Sequence, residues 1–339
     1  MRKIIHLSLC LAVAALMSCN QETEQIIMTV NGPVPAADMG ITLSHEHVLV
    51  DFIGADSTGY HRWNRQEVVK KVLPFLTEIQ DYKVSTLMEC TPAYLGRDPW
   101  LLKELSRETG MHLLTNTGYY GAHNNRFTPA EFHQMTATEL SQIWVNEFEY
   151  GIEESGVKPG FIKIGVDGND TLSKEHVKII TAAALTHKQT GLVIASHTGP
   201  DGPAFEQISV LQSHKVDPSA FIWVHAQHGS LEGNIRAAGM GVWISLDNIN
   251  LNIKKGGKYD VQWYAERIRK MKNSGYLNKV LISHDAGWYK PEEAEGGTFR
   301  GFTGIFTDLI PALENLGFTR EDIHLLLEVN PRNAFFIRN

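Results

Sequence analysis

The chain has 339 residues, 43% of them hydrophobic and 20% charged, and a formal net charge of −7. That balance belongs to a globular protein large enough to bury a core without disulfide staples. A mildly acidic chain has no electrostatic attraction to nucleic acid or to an anionic membrane surface, so neither is expected as a partner.

In chain order, Arg2 and Lys3 precede an apolar run from Ile4 to Leu16 broken only by His6 and Ser8. The run is short for a membrane span and reads as a signal peptide over residues 1–19. Its ending, Leu16-Met17-Ser18-Cys19, resembles a bacterial lipobox, whose cysteine becomes the lipidated N-terminus. The expectation is therefore a protein of the bacterial cell envelope, periplasmic or outer-membrane associated. It would meet the membrane only through a lipid on Cys19. An ordinary secretory signal with a chance cysteine is the alternative. Residues 20–27 read as a short tether, and 28–339 as one globular domain. Processing would remove Cys10 and lipidate Cys19, leaving Cys90 and no internal disulfide.

From Gly40 onward, short β-rich apolar runs alternate with segments of helical periodicity. The strand-like runs are 41–49, 85–90, 112–119, 161–166, 192–197, 221–225, 242–246 and 279–283. The intervening helices are expected at 66–81, 100–109, 137–151, 174–190, 204–215, 231–239, 261–274 and 302–316. Gly110, Gly191, Gly241 and Gly317 fall where left-handed cap residues are expected. Eight βα units in one uninterrupted chain predict an α/β fold, a single (β/α)8 TIM barrel. A doubly wound sheet would place a glycine-rich phosphate turn after the first strand; His45-Glu46-His47 stands there instead. The long segment 286–301 after the eighth strand reads as a lid, a binding loop or an inert excursion.

Active sites of such barrels lie at the C-terminal ends of the strands. Strand one ends in His45-x-His47, and residues two apart on a strand share a face. Strand four carries Lys163, strand five ends at His197, strand six at His225, and strand eight at His284-Asp285. Imidazole and carboxylate suit zinc and its first-row neighbours. A single strand histidine is more often a hydrogen-bonded core residue; histidines converging from several strands on one rim have no such explanation. Lys163, buried among apolar neighbours, needs an acid such as Asp167, or must be neutral and able to form a carbamate with carbon dioxide.

At this point the chain resembles the phosphotriesterase family of the amidohydrolase superfamily. The resemblance rests on Gly40-Ile-Thr-Leu-Ser-His-Glu-His-Val-Leu-Val-Asp51, Phe161-Ile-Lys-Ile-Gly165, Ala195-Ser-His-Thr-Gly199, Val224-His225, Ile282-Ser-His-Asp285 and the closing Asn330-Pro-Arg-Asn-Ala-Phe335. It implies two divalent metal ions, zinc foremost with manganese or cobalt as alternatives. His45, His47 and Asp285 would hold the more buried ion, and His197 and His225 the more exposed one. Lys163 would bridge them as a carbamate, a bridging hydroxide would attack, and Asp285 would shuttle the proton. Tyr120, rather than Tyr119, matches the tyrosine that the family places over the metals. Leu246-Asp247-Asn248-Ile249 lacks the arginine expected of the family's lactonases, and Val224-His225-Ala-Gln-His228 replaces a Gly-His-x-x-Asp run.

The implied function is hydrolysis of a small-molecule ester or lactone, with phosphotriesters as a side reaction. The alternatives are a lipid-anchored binding protein that keeps the site without turnover and a mononuclear amidohydrolase. Trp223, Trp243 and Trp288 are candidates for the substrate wall or, equally, core aromatics. A homodimer is compatible with the sequence.

Overall fold

The structure is a computed structural model that describes residues 24–169, 171–249 and 256–338. The leader expected over 1–19, Cys19 and residues 20–23 of the tether lie outside the described residues. Among the described residues no helix is long and apolar enough to cross a membrane.

The fold begins with an antiparallel hairpin of β1 (Ile26–Thr29) and β2 (Gly32–Pro35). The Thr29 hydroxyl donates to Gly32 O (2.8 Å) and accepts from Asn31 N (3.1 Å), tying the turn. The tether expected over 20–27 is therefore shorter: Ile26 and Ile27 are in the strand, and Ile27 is fully buried.

Eight parallel barrel strands follow. They are β3 (Ile41–Leu49), β4 (Val84–Glu89), the third strand in two halves, β5 (His112–Leu114) and β6 (Asn116–Thr117), then β7 (Phe161–Gly165), β8 (Ile194–His197), β9 (Phe221–Val224), β10 (Trp243–Leu246) and β11 (Val280–Ile282). Parallel pairing runs from β3 to β5 and from β6 to β11 in sequence order. Hydrogen bonds close the ring: His45 N donates to Ser283 Oγ (2.8 Å), and Asp285 N to His45 O (3.1 Å). Last, β12 (Gly287–Tyr289) lies parallel to β3, with Gly287 opposite His47. Segment 286–301 thus starts as sheet rather than as a free loop.

The helices are α1 (Arg65–Gln80), α2 (Pro99–Thr109), α3 (Ala137–Tyr150), α4 (Lys174–Thr190), α5 (Asp201–Ser213), α6 (Leu231–Gly239) and α7 (Val261–Asn273). Their starts are built by local side chains: Thr136 and Glu139 form a capping box, and Asp98, Ser173, Ser230 and Asp260 accept from first-turn N–H groups. Helix α5 begins three residues before its expected start because Pro203 sits in the first turn, where its missing N–H costs nothing. The helix expected over 302–316 is instead a π-helical turn, Ile305–Leu309, leading into α8 (Ile310–Asn315). Pro311 near the start of α8 cannot donate to a preceding carbonyl. The C-terminal α9 (Arg320–His324), a second π turn and α10 (Asn330–Phe335) complete the chain.

Alternation along the strands divides the core. On β7, Phe161 joins the barrel interior, while Ile162 and Ile164 pack into the helix layer. Phe161 meets Phe335 edge-on at 5.5 Å, so the closing Asn-Pro-Arg-Asn-Ala-Phe segment plugs the floor together with the hairpin. With the floor filled, the cavity among the described residues lies at the C-terminal rim, lined by His45, Lys163, His197 and His225. Two glycines allow backbone approach there. A Cβ on Gly118 (φ +122°) would lie 2.2 Å from Lys163 O, and one on Gly287 (φ +93°) 1.8 Å from His47 O. Both positions hold a strand against a residue of the candidate site.

Candidate metal centre

His45 and His47 project from β3 to one side, with ring centroids 5.2 Å apart. Their Nε2 atoms lie 3.7 and 3.2 Å from the same oxygen, Asp285 Oδ1. Their Nδ1 atoms are engaged elsewhere, at 3.3 Å from Asp247 Oδ2 and 2.8 Å from Thr91 Oγ1. Thr91 spends its hydroxyl proton on Leu49 O (2.9 Å), so toward His47 its oxygen accepts. Both rings therefore carry the proton on Nδ1 and present an Nε2 lone pair beside a carboxylate. Burial lowers the basicity of both, that of His47 to a pKa of about 3. Neutral imidazoles converging on a carboxylate fit a divalent cation.

The rest of the expected set lies around them. His225 is 5.4 Å from His45 and 4.4 Å from His197, ring to ring. Burial pushes the His197 pKa well down, whereas Asp247 overcomes burial and raises that of His225. Lys163 is buried, and burial lowers its pKa. Among the described residues its ammonium has no hydrogen-bonded carboxylate. The acid considered for that role, Asp167, instead accepts from His123 N (2.7 Å) and Asn124 N (3.3 Å). Tyr120 is in place, its ring centroid 5.0 Å from that of His197 and 5.9 Å from Lys163 Nζ. Tyr119 packs away against Tyr94 and Trp144.

Two groups of donor atoms among the described residues are compact enough for one ion, within 4.8 Å: His45, His47 and Asp285; and His225, Asp247 and Asp285. The second differs from the expected pair of His197 and His225. Asp247 is better read as an orienting acid, because both its oxygens are taken. Oδ1 accepts from the His225 ring N–H and from Gln227 Nε2 (3.0 Å), and Oδ2 from His45 Nδ1, Ser245 Oγ (3.0 Å) and His225 N (3.1 Å).

Asp247 is one of two structural acids that sequence reasoning did not assign. The other is Glu46, buried between the paired histidines. Its Oε1 accepts from Ser283 Oγ (2.7 Å), His284 N (3.0 Å) and the His284 ring (2.7 Å), and its Oε2 accepts from Ala286 N (3.1 Å). Clamping both neighbours of Asp285 holds that residue at φ +49° and aims it at the histidines. His284 faces away from the site, its Nε2 accepting from Ile305 N (3.1 Å). Strand parity carries a signal for Glu46, since the middle residue of His-x-His must face the other way.

The site opens into a cavity of about 480 Å³. Ring contacts run in a closed circuit around it. From His47 they pass to Trp288 (6.0 Å), Phe52 (5.4 Å), Phe127 (6.1 Å), Tyr120 (5.9 Å) and His197, returning through His225 and His45. Of the three candidate tryptophans only Trp288 lines this space. Trp223 is buried against Phe205, donating to Gly199 O (2.9 Å), and Trp243 belongs to the interior, donating to Ser219 O (3.0 Å).

Asp247→Asn keeps the shape but removes the charge that orients two imidazoles. Metal affinity, read by titration against a chelator, should fall about 10–100-fold. In metal-free protein the buried imidazoles resist protonation, while unfolded ones take protons near 6.5. The unfolded state then binds more protons as pH falls from 6.5 toward 3, so stability should drop through that window. His225, with its raised pKa, contributes the opposite sign above 6.5. Denaturant midpoints of chelated protein across pH check the slope.

The chain is similar to known proteins over most of its length. A phosphotriesterase homology protein of Escherichia coli (strain K12) is 30% identical over 299 residues, covering 87% of this chain and 98% of that protein. An aryldialkylphosphatase of Saccharolobus solfataricus is 27% identical over 314 residues, 89% of this chain and 96% of that one. An N-acetyltaurine hydrolase of Rattus norvegicus is 25% identical over 344 residues, 90% and 96% respectively. The Phosphotriesterase family model matches residues 25–335, so the barrel with its His45, His47 and Asp285 cluster belongs to the phosphotriesterase family.

Proposed function

We propose that the chain is a hydrolase dependent on two divalent cations, zinc foremost, acting on carboxylic esters or lactones, with phosphotriesters as slower substrates. One observation carries this: His45 and His47 turn bare Nε2 atoms onto Asp285 at the foot of a cavity that Lys163, His197 and His225 also line. His45, His47 and Asp285 would hold one cation, His197 and His225 the other, and Lys163, as a carbamate, both. Bound there, the cations supply a nucleophile from water and polarise the bond under attack.

The chain's own residues do the rest. Asp285 takes up the proton released during attack. Burial keeps the Tyr120 phenol protonated, so it donates to the oxygen that gains charge. Phe52, Phe127, Leu95 and Trp288 exclude water from the scissile bond. The relatives' names, an aryldialkylphosphatase and an N-acetyltaurine hydrolase, support a centre able to attack either phosphorus or a carbonyl carbon. The absent arginine after β10 argues against acyl-homoserine lactones.

Turnover of aryl-ester and lactone panels by metal-loaded protein tests the reading. Lys163→Ala should lower bound metal from two equivalents to one or fewer and cut kcat/KM at least about 100-fold. Intact protein should carry the mass of one added carbon dioxide that the variant lacks. One equivalent in both proteins would favour a mononuclear amidohydrolase, and no turnover above the metal-free control would favour a binding protein. We also propose that Cys19 carries a lipid anchoring the barrel in the cell envelope. Cys19→Ser should move the protein from the membrane fraction to the soluble one.

A further inference from the structure

Resting on that hydrolase reading, we propose that the substrate carries an oxyanion, a carboxylate or sulfonate, at the end remote from the bond that breaks, and that Arg126 with His123 binds it. The cavity has two chemically different ends. The ligand set occupies its foot, Phe52, Leu95 and Phe127 form an apolar middle, and Arg126 and His123 stand at the exposed mouth. Among the described residues lining it, Asp285 is the only carboxylate, and it faces His45 and His47. Among the described residues that line the cavity, none forms an ion pair with the guanidinium.

Arg126 forms no ion pair among the described residues. One nitrogen, Nη2, donates to Ile53 O (3.1 Å), and the guanidinium carbon lies 5.8 Å from the Phe127 ring centroid, leaving further N–H groups of the fork unspent. Asp56 borders Arg126 on an outer groove but is not within ion-pair distance. Asp167 is committed to the backbone of His123 and Asn124.

The backbone that presents these side chains is strained. His123, Asn124 and Asn125 are three successive non-glycine residues at φ +58°, +57° and +61°. Such conformations are unfavourable for non-glycine residues and persist where the surroundings over-determine them, often at ligand clamps. Here the turn is fastened by Asp167 on one side and by Ala55 N to Arg126 O (3.1 Å) on the other. The His123 ring lies 6.1 Å from Tyr120 and 6.0 Å from Phe127, continuous with the aromatic wall. A guanidinium fork over an aromatic face suits an oxyanion with two oxygens to accept its parallel N–H groups, and an uncharged substrate end would leave it unused.

The test compares two aryl esters of equal chain length on metal-loaded protein: 4-nitrophenyl hexanoate, and mono-4-nitrophenyl adipate, which ends in a carboxylate. The expected result is a kcat/KM ratio of about tenfold in favour of the adipate, carried by KM and narrowed by added salt. In Arg126→Gln the ratio should fall toward one, and Arg126→Lys should recover part of it. Equal kcat/KM for the two esters in the unsubstituted protein would overturn the anionic-end proposal while leaving the hydrolase reading intact. A ratio that survives Arg126→Gln, with both esters slowed alike, would overturn it too, by making Arg126 a loop fastener. No turnover of either ester would overturn the hydrolase reading itself, and this proposal with it.

Discussion

One buried carboxylate ties the site together. Asp247, at the end of β10, accepts from the rings of His45 on β3 and His225 after β9, so it fixes the tautomer of imidazoles from two other strands. A bare imidazole could turn either nitrogen toward a cation; one whose Nδ1–H is claimed can turn only Nε2. The charge that makes this possible is costly to bury, and five donors repay it: two rings, an amide side chain, a hydroxyl and a backbone N–H. Tyr264 secures the same residue from the helix layer by donating to Asp247 O (2.6 Å). Remove that charge and the histidines keep their places but lose their aim.

Glu46 does for Asp285 what Asp247 does for the imidazoles. It lies on the outward face of β3, between two inward histidines, and reaches the segment after β11 that brings Asp285 to the rim. Through His284 the clamp extends to the π-helical turn at Ile305. Barrel closure and site geometry are thus one set of contacts, because the first and last strands meet where the ligands are.

Much of this was legible in the sequence. Parallel strands buried on both faces read as apolar runs, which is why the eight strands are found within a few residues of expectation. Strand parity put His45 and His47 on one face, and the placement of active sites at strand ends brought in Lys163, His197, His225 and Asp285; all of them, with Tyr120, line the cavity. What escaped needed knowledge of contacts across the barrel. Asp247 looked like part of a motif lacking an arginine, since nothing local says that two distant rings point at it. The tryptophans could not be sorted, because burial against a helix and exposure to a cavity look alike in an apolar run. The hairpin at the floor escaped although Asn31-Gly32 is a turn signal, because its strands are only four residues long. The left-handed turn at 123–125 has no glycine to announce it.

The circuit of rings around the cavity is split by origin. Its histidine half sits on or directly after core strands, within the hydrogen-bond lattice that closes the barrel. Its other half, Phe52, Tyr120, Phe127 and Trp288, comes from segments beyond the strand ends. The histidines and most of the apolar wall are therefore carried by separate parts of the chain. Substitutions of Phe52, Phe127 and Trp288 in the outer arc can reshape what enters while leaving Tyr120 and the histidines in place, so descendants of this barrel can drift between substrates by altering these connections while inheriting the same foot.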